Sequence, residues 1–415
     1  MRACAACWRR SAGKWQLPRR LGLAAAVAAA VALAAAPGAS ASKSIQTGLF
    51  DDAQILWGNP DTVFPLLKSL NTQLIRVNLY WGGPNGVAKR RPKSPTDPND
   101  PAYDWSAYDR TVQYALQYGI KVVFSFFGTP AWANGGAAPN VAPKQMLDLK
   151  KFAQAAATRY GGSFPGYDGR FLPAVRSWLV WNEPNNPAFL SPQYRNVGGK
   201  YRKVGGKYRA VGGRWVIQSA VNYAKMCNAV VAAVRGTAGG TGKVACGVTG
   251  PRGNNNPDSS RPSVSPLPFL RAMKAAGAKG FDAYAHHPYY GKPQETPSTP
   301  PPPGIHGNAP TSVTLGNFGV LVKELKRLYG GRMRIWITEY GYQTNPPDRQ
   351  FGVSYAKQAA YVKQAYAIAR ATARVDMLLW FLIADEPRLE GWQSGLFTAT
   401  GKKKPAFAAF QKLRG

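Results

Sequence analysis

Beyond about residue 42, the polar and apolar positions repeat one cycle: a short apolar run, a loop, then an amphipathic segment. The apolar runs predict strands at 44–50, 74–81, 120–127, 175–182, 244–249, 281–288, 334–339 and 377–382. Helical spacing of apolar positions predicts helices at 61–70, 106–118, 144–160, 218–234, 266–276, 315–329, 354–373 and 405–413. Gly119, Gly277 and Gly330 fall where left-handed helix caps are expected.

Strands alternating with helices imply parallel crossovers, and eight of each favour closure. The expected fold class is therefore α/β, a single (β/α)8 TIM barrel with long strand-to-helix loops. Chemistry in such a barrel sits at the carboxyl ends of the strands. Two of the loops, 82–105 and 292–314, are long and rich in proline, and would rise above that face.

The first residues do not share this rhythm. Arg2, Arg9, Arg10, Lys14, Arg19 and Arg20 precede an apolar run, 21–36, and a small-x-small step at Ala39-Ser40-Ala41. This is the pattern of a secretory signal peptide over residues 1–41, the alternative being a retained anchor. The domain expected to fold is 42–415, and nothing in it is long and apolar enough to span a bilayer. Cys4 and Cys7 leave with the leader, so Cys227 and Cys246 are the disulfide candidates in an oxidising compartment, the alternative being two buried thiols.

Losing the leader removes six basic residues and no acid, so the formal charge falls from +33 to +27. Such a surface attracts polyanions, including acidic glycans and cell-wall polymers. No helix-turn-helix, zinc-finger or RNA-binding signature accompanies it, so no specific nucleic-acid partner is expected. A heptad repeat, VGGKYRK-VGGKYRA-VGGRWVI, begins at Val197 and makes 197–215 a basic, glycine-rich insertion. Gly-Gly between short strand-like runs signals two-residue hairpins. The pattern predicts a three-strand meander, with Val204 facing Lys207 across one turn and Val211 facing Arg214 across the next. Such a flap could grip a polymer; a solvated insertion is the alternative.

The chain has six glutamates, and two of them, Glu183 and Glu339, terminate apolar strands, the fourth and the seventh. A carboxylate at the mouth of an apolar strand is costly unless it is paired or used. In an eight-strand barrel these two strands stand opposite each other. Facing carboxylates are the minimum apparatus for hydrolysing a glycosidic bond: one protonates the departing oxygen while the other attacks or activates water. His286 and His287 invite a metal reading, but only one other histidine is present and no HExxH or Cys/His cluster exists. Neither a metal nor a cofactor is expected.

WNEPN at 181–185 and WITEYG at 336–341 resemble the signatures of clan A glycoside hydrolases, which are retaining (β/α)8 enzymes. IRVNLYW at 75–81 is similar to the clan's strand-two segment, and HPY at 287–289 to its strand-six His-x-Tyr. The likeness spans nearly all of 42–415 and is closest to families 39 and 5. It implies that Glu183 is the acid/base and Glu339 the nucleophile. It further implies that Asn182 binds the sugar 2-hydroxyl, that Arg76 contacts the nucleophile, and that Trp380 stacks on a sugar. The third strand departs from the pattern: VVFSFFGTPAW at 122–132 lacks the histidine found there in many family 5 members.

His287 is chosen over His286 by its spacing to Tyr289. Trp81, Trp132, Trp181, Tyr289 and Trp380, all near strand ends, are candidate sugar platforms. Arg76 should hold Glu339 ionised, and burial beside Trp181 and Pro184 should raise the Glu183 pKa toward neutrality. The expectation is a secreted, monomeric retaining glycosidase acting on a polysaccharide or oligosaccharide, with an anionic or wall-associated glycan favoured by the charge. A non-catalytic carbohydrate-binding protein on the same scaffold is the alternative.

Overall fold

A computed structural model describes residues 44–413, apart from 206, 238–241 and 305–308. The proposed leader, 1–41, lies outside the described residues. Eight parallel strands close into a barrel: β1 Gln46–Phe50, β2 Leu74–Tyr80, β3 Lys121–Phe127, β4 Ser177–Val180, β5 Lys243–Thr249, β6 Ala283–His286, β7 Arg334–Tyr340 and β8 Val375–Phe381. Each strand pairs with its neighbours in sequence, and β1 pairs with β8. Among the described residues eight helices of seven residues or more surround it: α1 Pro60–Ser69, α2 Ser106–Gln117, α3 Met146–Arg159, α4 Gln218–Arg235, α5 Pro266–Ala275, α6 Gly319–Tyr329, α7 Tyr355–Ala371 and α8 Pro405–Gln411. Among the described residues no helix is long and apolar enough to cross a membrane.

The expected elements are present with two informative differences. The segment expected as one helix, 315–329, is a 3-10 turn, Leu315–Asn317, followed by α6. Asn317 folds back to accept from the Thr314 amide (2.8 Å), which satisfies an otherwise unpaired donor and caps the start of the turn. The strand expected at 175–182 stops at Val180, because Trp181 and Glu183 take positive φ values of 71° and 35°. Gly119, Gly277 and Gly330 do adopt positive φ at the ends of α2, α5 and α6.

Side-chain alternation along the strands builds two cores. Leu74, Val123, Leu179, Ala245, Ala283, Ala285, Trp336, Met377 and Leu379 fill the barrel interior. Gly48 lies against them, where a Cβ would come within 2.4 Å of Leu74. The opposite faces carry Val77, Leu79, Phe124, Trp178, Val180, Ile335, Ile337 and Trp380, which pack under the helices. Two further ties cross the helix layer. Cys227 of α4 and Cys246 of β5 form a disulfide, and buried Arg159 of α3 makes a two-pronged ion pair with buried Asp109 of α2.

The glycine-rich insertion is a β structure of a different connectivity from the expected meander. Lys200–Val204 pairs with Lys207–Val211, with Val204 opposite Lys207 as expected. Arg214–Val216, however, pairs with Arg195–Val197 and not with Lys207–Val211, so Val211 does not face Arg214. Both pairs keep one register, each residue number and its partner's adding to the same total. The result is one long hairpin, closed by the Val204–Lys207 pair at its tip, with Gly198-Gly199 and Gly212-Gly213 opposite each other midway. Asn196 staples that glycine crossing: its Oδ1 accepts from Gly199 N (2.9 Å) and its Nδ2 donates to Gly212 O (3.2 Å).

Candidate active site

The apolar floor of the barrel gives way to a polar layer at the carboxyl ends of the strands. Arg76 of β2, fully buried, is its hub. Its Nη1 donates to Glu339 Oε1 (2.7 Å), Thr338 O (3.3 Å) and His287 Nε2 (3.1 Å), while Nη2 donates to Asn182 Oδ1 (2.7 Å) and Asn78 Oδ1 (3.4 Å). The guanidinium lies 4.3 Å from the centroid of the Phe50 ring. Tyr289 donates from its hydroxyl to Glu339 Oε2 (3.1 Å), so both oxygens of Glu339 accept from donors that suit a carboxylate.

Glu183 has a different environment. Burial pushes its carboxyl from 4.5 up to about 7, against a weaker opposing pull from the Asn186 amide and the Arg76 charge. The chain reaches this position through left-handed backbone, with Glu183 N donating to Val248 O (2.8 Å). Gly250 is required beside it, since a Cβ there would lie 2.9 Å from the Glu183 carboxyl carbon.

His287 links the two acids. Its Nδ1 lies 3.0 Å from Glu183 Oε1 and 3.6 Å from Glu339 Oε1. Burial pushes its pKa down to about 3, opposed by the Glu339 charge and aided by Arg76, so the ring is neutral near pH 7. Arg76 can only donate, which makes Nε2 the acceptor and puts the proton on Nδ1, directed at Glu183. The closest oxygens of the two glutamates and the His287 nitrogen all lie within 4.8 Å of one another. That cluster could in principle hold a metal ion. The Arg76 guanidinium bonded to Glu339 and His287, and the proton on Nδ1, both oppose a divalent cation there.

The acids open into a cavity of about 670 Å3. Asn182, Glu183, Tyr289 and Glu339 line it, together with residues that sequence reasoning missed: Phe50, Asp52, Phe381 and Trp392. Asp52 accepts from the Asn78 amide nitrogens and from Tyr80 Oη, and burial raises its pKa to about 6. The signal for it was present: Phe50-Asp51-Asp52 is another apolar strand running into acids. Trp392 stands 5.3 Å from the Tyr289 ring and 5.6 Å from Phe381. Its loop is pinned by buried Lys404, whose ammonium donates to Asp385 (2.6 Å), Thr344 (2.8 Å) and Gln393 O (3.1 Å).

Four of the proposed tryptophan platforms do not face this cavity. Trp81 and Trp380 have the strand parity that points to the helix layer; Trp81 stacks on Phe152, and Trp380 Nε1 donates to Ser394 O. Trp181 is turned under the chain by its positive φ and donates to Phe189 O. Trp132 packs edge-on to Trp81 and under the Arg91 guanidinium. Of the histidines, His287 shares the inward parity of Ala283 and Ala285. His286 points outward, bonded to Thr249 and Val313 O.

No family model matches the sequence, and no curated protein matches it significantly. Solved structures do match. A family 39 glycoside hydrolase from the gut symbiont Bacteroides cellulosilyticus WH2 aligns with TM-score 0.57 at 18% identity, over 88% of this chain and 62% of that one. The chain carries the barrel fold of glycoside hydrolases. A glucosidase from Croceicoccus marinus gives TM-score 0.60 at 13% identity, over 90% of this chain and 67% of that one. Two fungal β-1,4-galactanases are represented at TM-score 0.55 and 12% identity, over 89% and 99%. This chain therefore spans less than two thirds of the family 39 enzyme, and at these identities the likeness is one of fold.

Proposed function

We propose that this protein is an exported, retaining glycosidase that cleaves O-glycosidic bonds of a polysaccharide or oligosaccharide. The observation that carries the reading is the unequal pair across the cavity. Glu183, its side chain 14% exposed, has its pKa raised to about 7, and Glu339 is clamped by Arg76 and Tyr289, with their nearest oxygens within 4.8 Å. Retaining enzymes hold their carboxyl groups about 5–5.5 Å apart, whereas inverting ones leave roughly 6.5–9.5 Å for a water. The shorter spacing supports retention.

In the first step Glu339 attacks the anomeric carbon while Glu183 delivers its proton to the departing glycosidic oxygen. The His287 Nδ1–H holds Oε1 of Glu183, which leaves Oε2 to carry the proton. The product is a glycosyl ester of Glu339, and its formation removes the negative charge facing Glu183. Glu183, now a carboxylate because its proton left with the departing oxygen, accepts a proton from water, and the water oxygen displaces Glu339 from the sugar. Asn182, its Oδ1 held by Arg76, keeps its Nδ2 donors for a sugar hydroxyl. The leader pattern and the Cys227–Cys246 disulfide support export.

An activated 2-deoxy-2-fluoro glycoside panel followed by peptide mapping tests the assignment. A covalent adduct on Glu339 is expected. Labelling at another residue overturns the roles, and no turnover on a broad glycan panel turns the site into a binding site.

A further inference from the structure

The long hairpin at 195–216 takes no part in the mechanism, yet its composition is extreme. No aspartate or glutamate occurs between Glu183 and Asp258. Arg195, Lys200, Arg202, Lys203 and Arg214 are all exposed on the hairpin, and among the described residues none of them forms an ion pair. Five unpaired cations on one narrow arm repel each other and sustain a strongly positive potential. The arm also exposes Trp215, where solvation alone gives no reason for an indole.

The register explains what Trp215 faces. It pairs with Asn196, so it lies on the hairpin face shared with Tyr194. Both rings line a second groove, of about 500 Å3, between the hairpin base and the 257–262 loop, with Arg261 at its edge. Ala188 lines this groove and the catalytic cavity alike. The catalytic cavity and this groove, with its two aromatic residues at the base of a cationic arm, therefore adjoin at Ala188.

We propose that this groove extends the catalytic cleft and holds a stretch of anionic polysaccharide. Sugar faces lie against Trp215 and Tyr194, and carboxylate or sulfate groups lie in the field of Arg261 and the hairpin. The inference rests on the glycosidase reading for the meaning of the cleft, and it names the class of polymer. A pyranose face presents C–H groups to an indole, and charge complementarity selects the acidic polymer over a neutral one. Guanidinium groups pair with planar carboxylate and with sulfate alike, so the shared chemistry is the anion.

Affinity electrophoresis of the native chain and of Glu183→Gln tests this without relying on turnover, so loss of the glycosidase reading and loss of this one are separately visible. Polygalacturonate and dextran sulfate, run as separate arms, should retard both proteins, and neutral dextran should not. Retardation by one polymer alone assigns the anion as carboxylate or as sulfate. Trp215→Ala should weaken binding about tenfold at fixed salt. Arg261→Gln, a second variant on the other wall, should weaken it as well. Replacing Arg195, Arg202 and Arg214 together by glutamine should flatten the dependence of affinity on salt. Equal retardation by neutral dextran overturns the proposal, as does an affinity unchanged in both Trp215→Ala and Arg261→Gln. Double-stranded DNA binding as tightly as the polyuronate, and independently of Trp215, would show a mere polycation and overturn it too.

Discussion

Glu183→Gln should make the protein more stable at pH 8 and no more stable at pH 4. In the folded chain the Glu183 carboxyl titrates near 7, against 4.5 for the ordinary group, because burial penalises the charged form more than Asn186 and Arg76 relieve it. The gap corresponds to roughly 3 kcal/mol, at about 1.4 kcal/mol per pH unit. Below pH 4.5 the group is protonated both folded and unfolded, and the favourable contribution of the folded-state proton is complete. As pH rises from 4.5 to 7, the unfolded chain ionises freely while the folded chain resists, so that contribution is lost. Above pH 7 the folded protein carries the full penalty. Glutamine has the same shape, accepts the His287 Nδ1–H through its oxygen, and does not titrate.

Urea unfolding of both proteins at half-unit steps from pH 4 to 8.5 measures this directly. Taking the difference at each pH cancels groups common to both, including Asp51 and Asp52, which burial raises to about 6. The difference should be near zero at pH 4, climb between 4.5 and 7, and level off near 3 kcal/mol in favour of the glutamine variant. In parallel, kcat/KM of the native protein should fall above about pH 7, where the proposed acid has lost its proton. A difference that is flat with pH, or a variant less stable at pH 8, would refute the assignment of a desolvated, reluctant carboxyl at this position.

Asp109→Ala should cost about 3–5 kcal/mol, because it leaves Arg159 charged and buried between α2 and α3 with its two-pronged partner gone; unchanged urea midpoints would contradict that burial. Replacing both Cys227 and Cys246 by serine should lower stability by about 2–4 kcal/mol, since the disulfide closes a loop of sequence separation 19. Equal melting of the native protein with and without reductant would argue against the bond.

Strand ends were legible because a carboxylate after an apolar run violates the pattern around it, and Glu183 and Glu339 do so on opposed strands. The tryptophans were not legible from proximity to a strand end. What decides them is parity: Trp380 alternates with Met377 and Leu379, which fill the barrel, and so faces the helices. The same rule places His287 inward and His286 outward, but it needs one anchored interior residue per strand. Trp181 escapes even that rule, because a positive φ resets its direction. The hairpin failed for another reason. Three Val-Gly-Gly steps offer equal turn signals, and only one can be the turn. Once Val204 pairs with Lys207, the other two steps fall opposite each other, which repetition alone does not announce.

The left-handed residues that broke the strand pattern share a location. Trp181, Glu183, Val248 and Leu382 all have positive φ and all sit at or just past the carboxyl ends of β4, β5 and β8. Non-glycine residues held there cost of order 1–3 kcal/mol each and persist only where surrounding contacts overrule them. The overruling contacts are visible: Trp181 N donates to Phe126 O, Glu183 N to Val248 O, and Leu382 N to Phe50 O, each bond crossing to another strand. The barrel's inter-strand bonding thus bends its own rim, at the face where Glu183 is also desolvated at a cost. At the amino-terminal ends of these three strands Arg374, just before β8, is the one such residue among those described. Strain and unfavourable burial meet at Glu183, one of whose carboxyl oxygens lies within 4.8 Å of one from the clamped Glu339. Stabilising Glu183→Gln removes the burial penalty alone, so the bent rim should survive in it and the cavity should keep its shape.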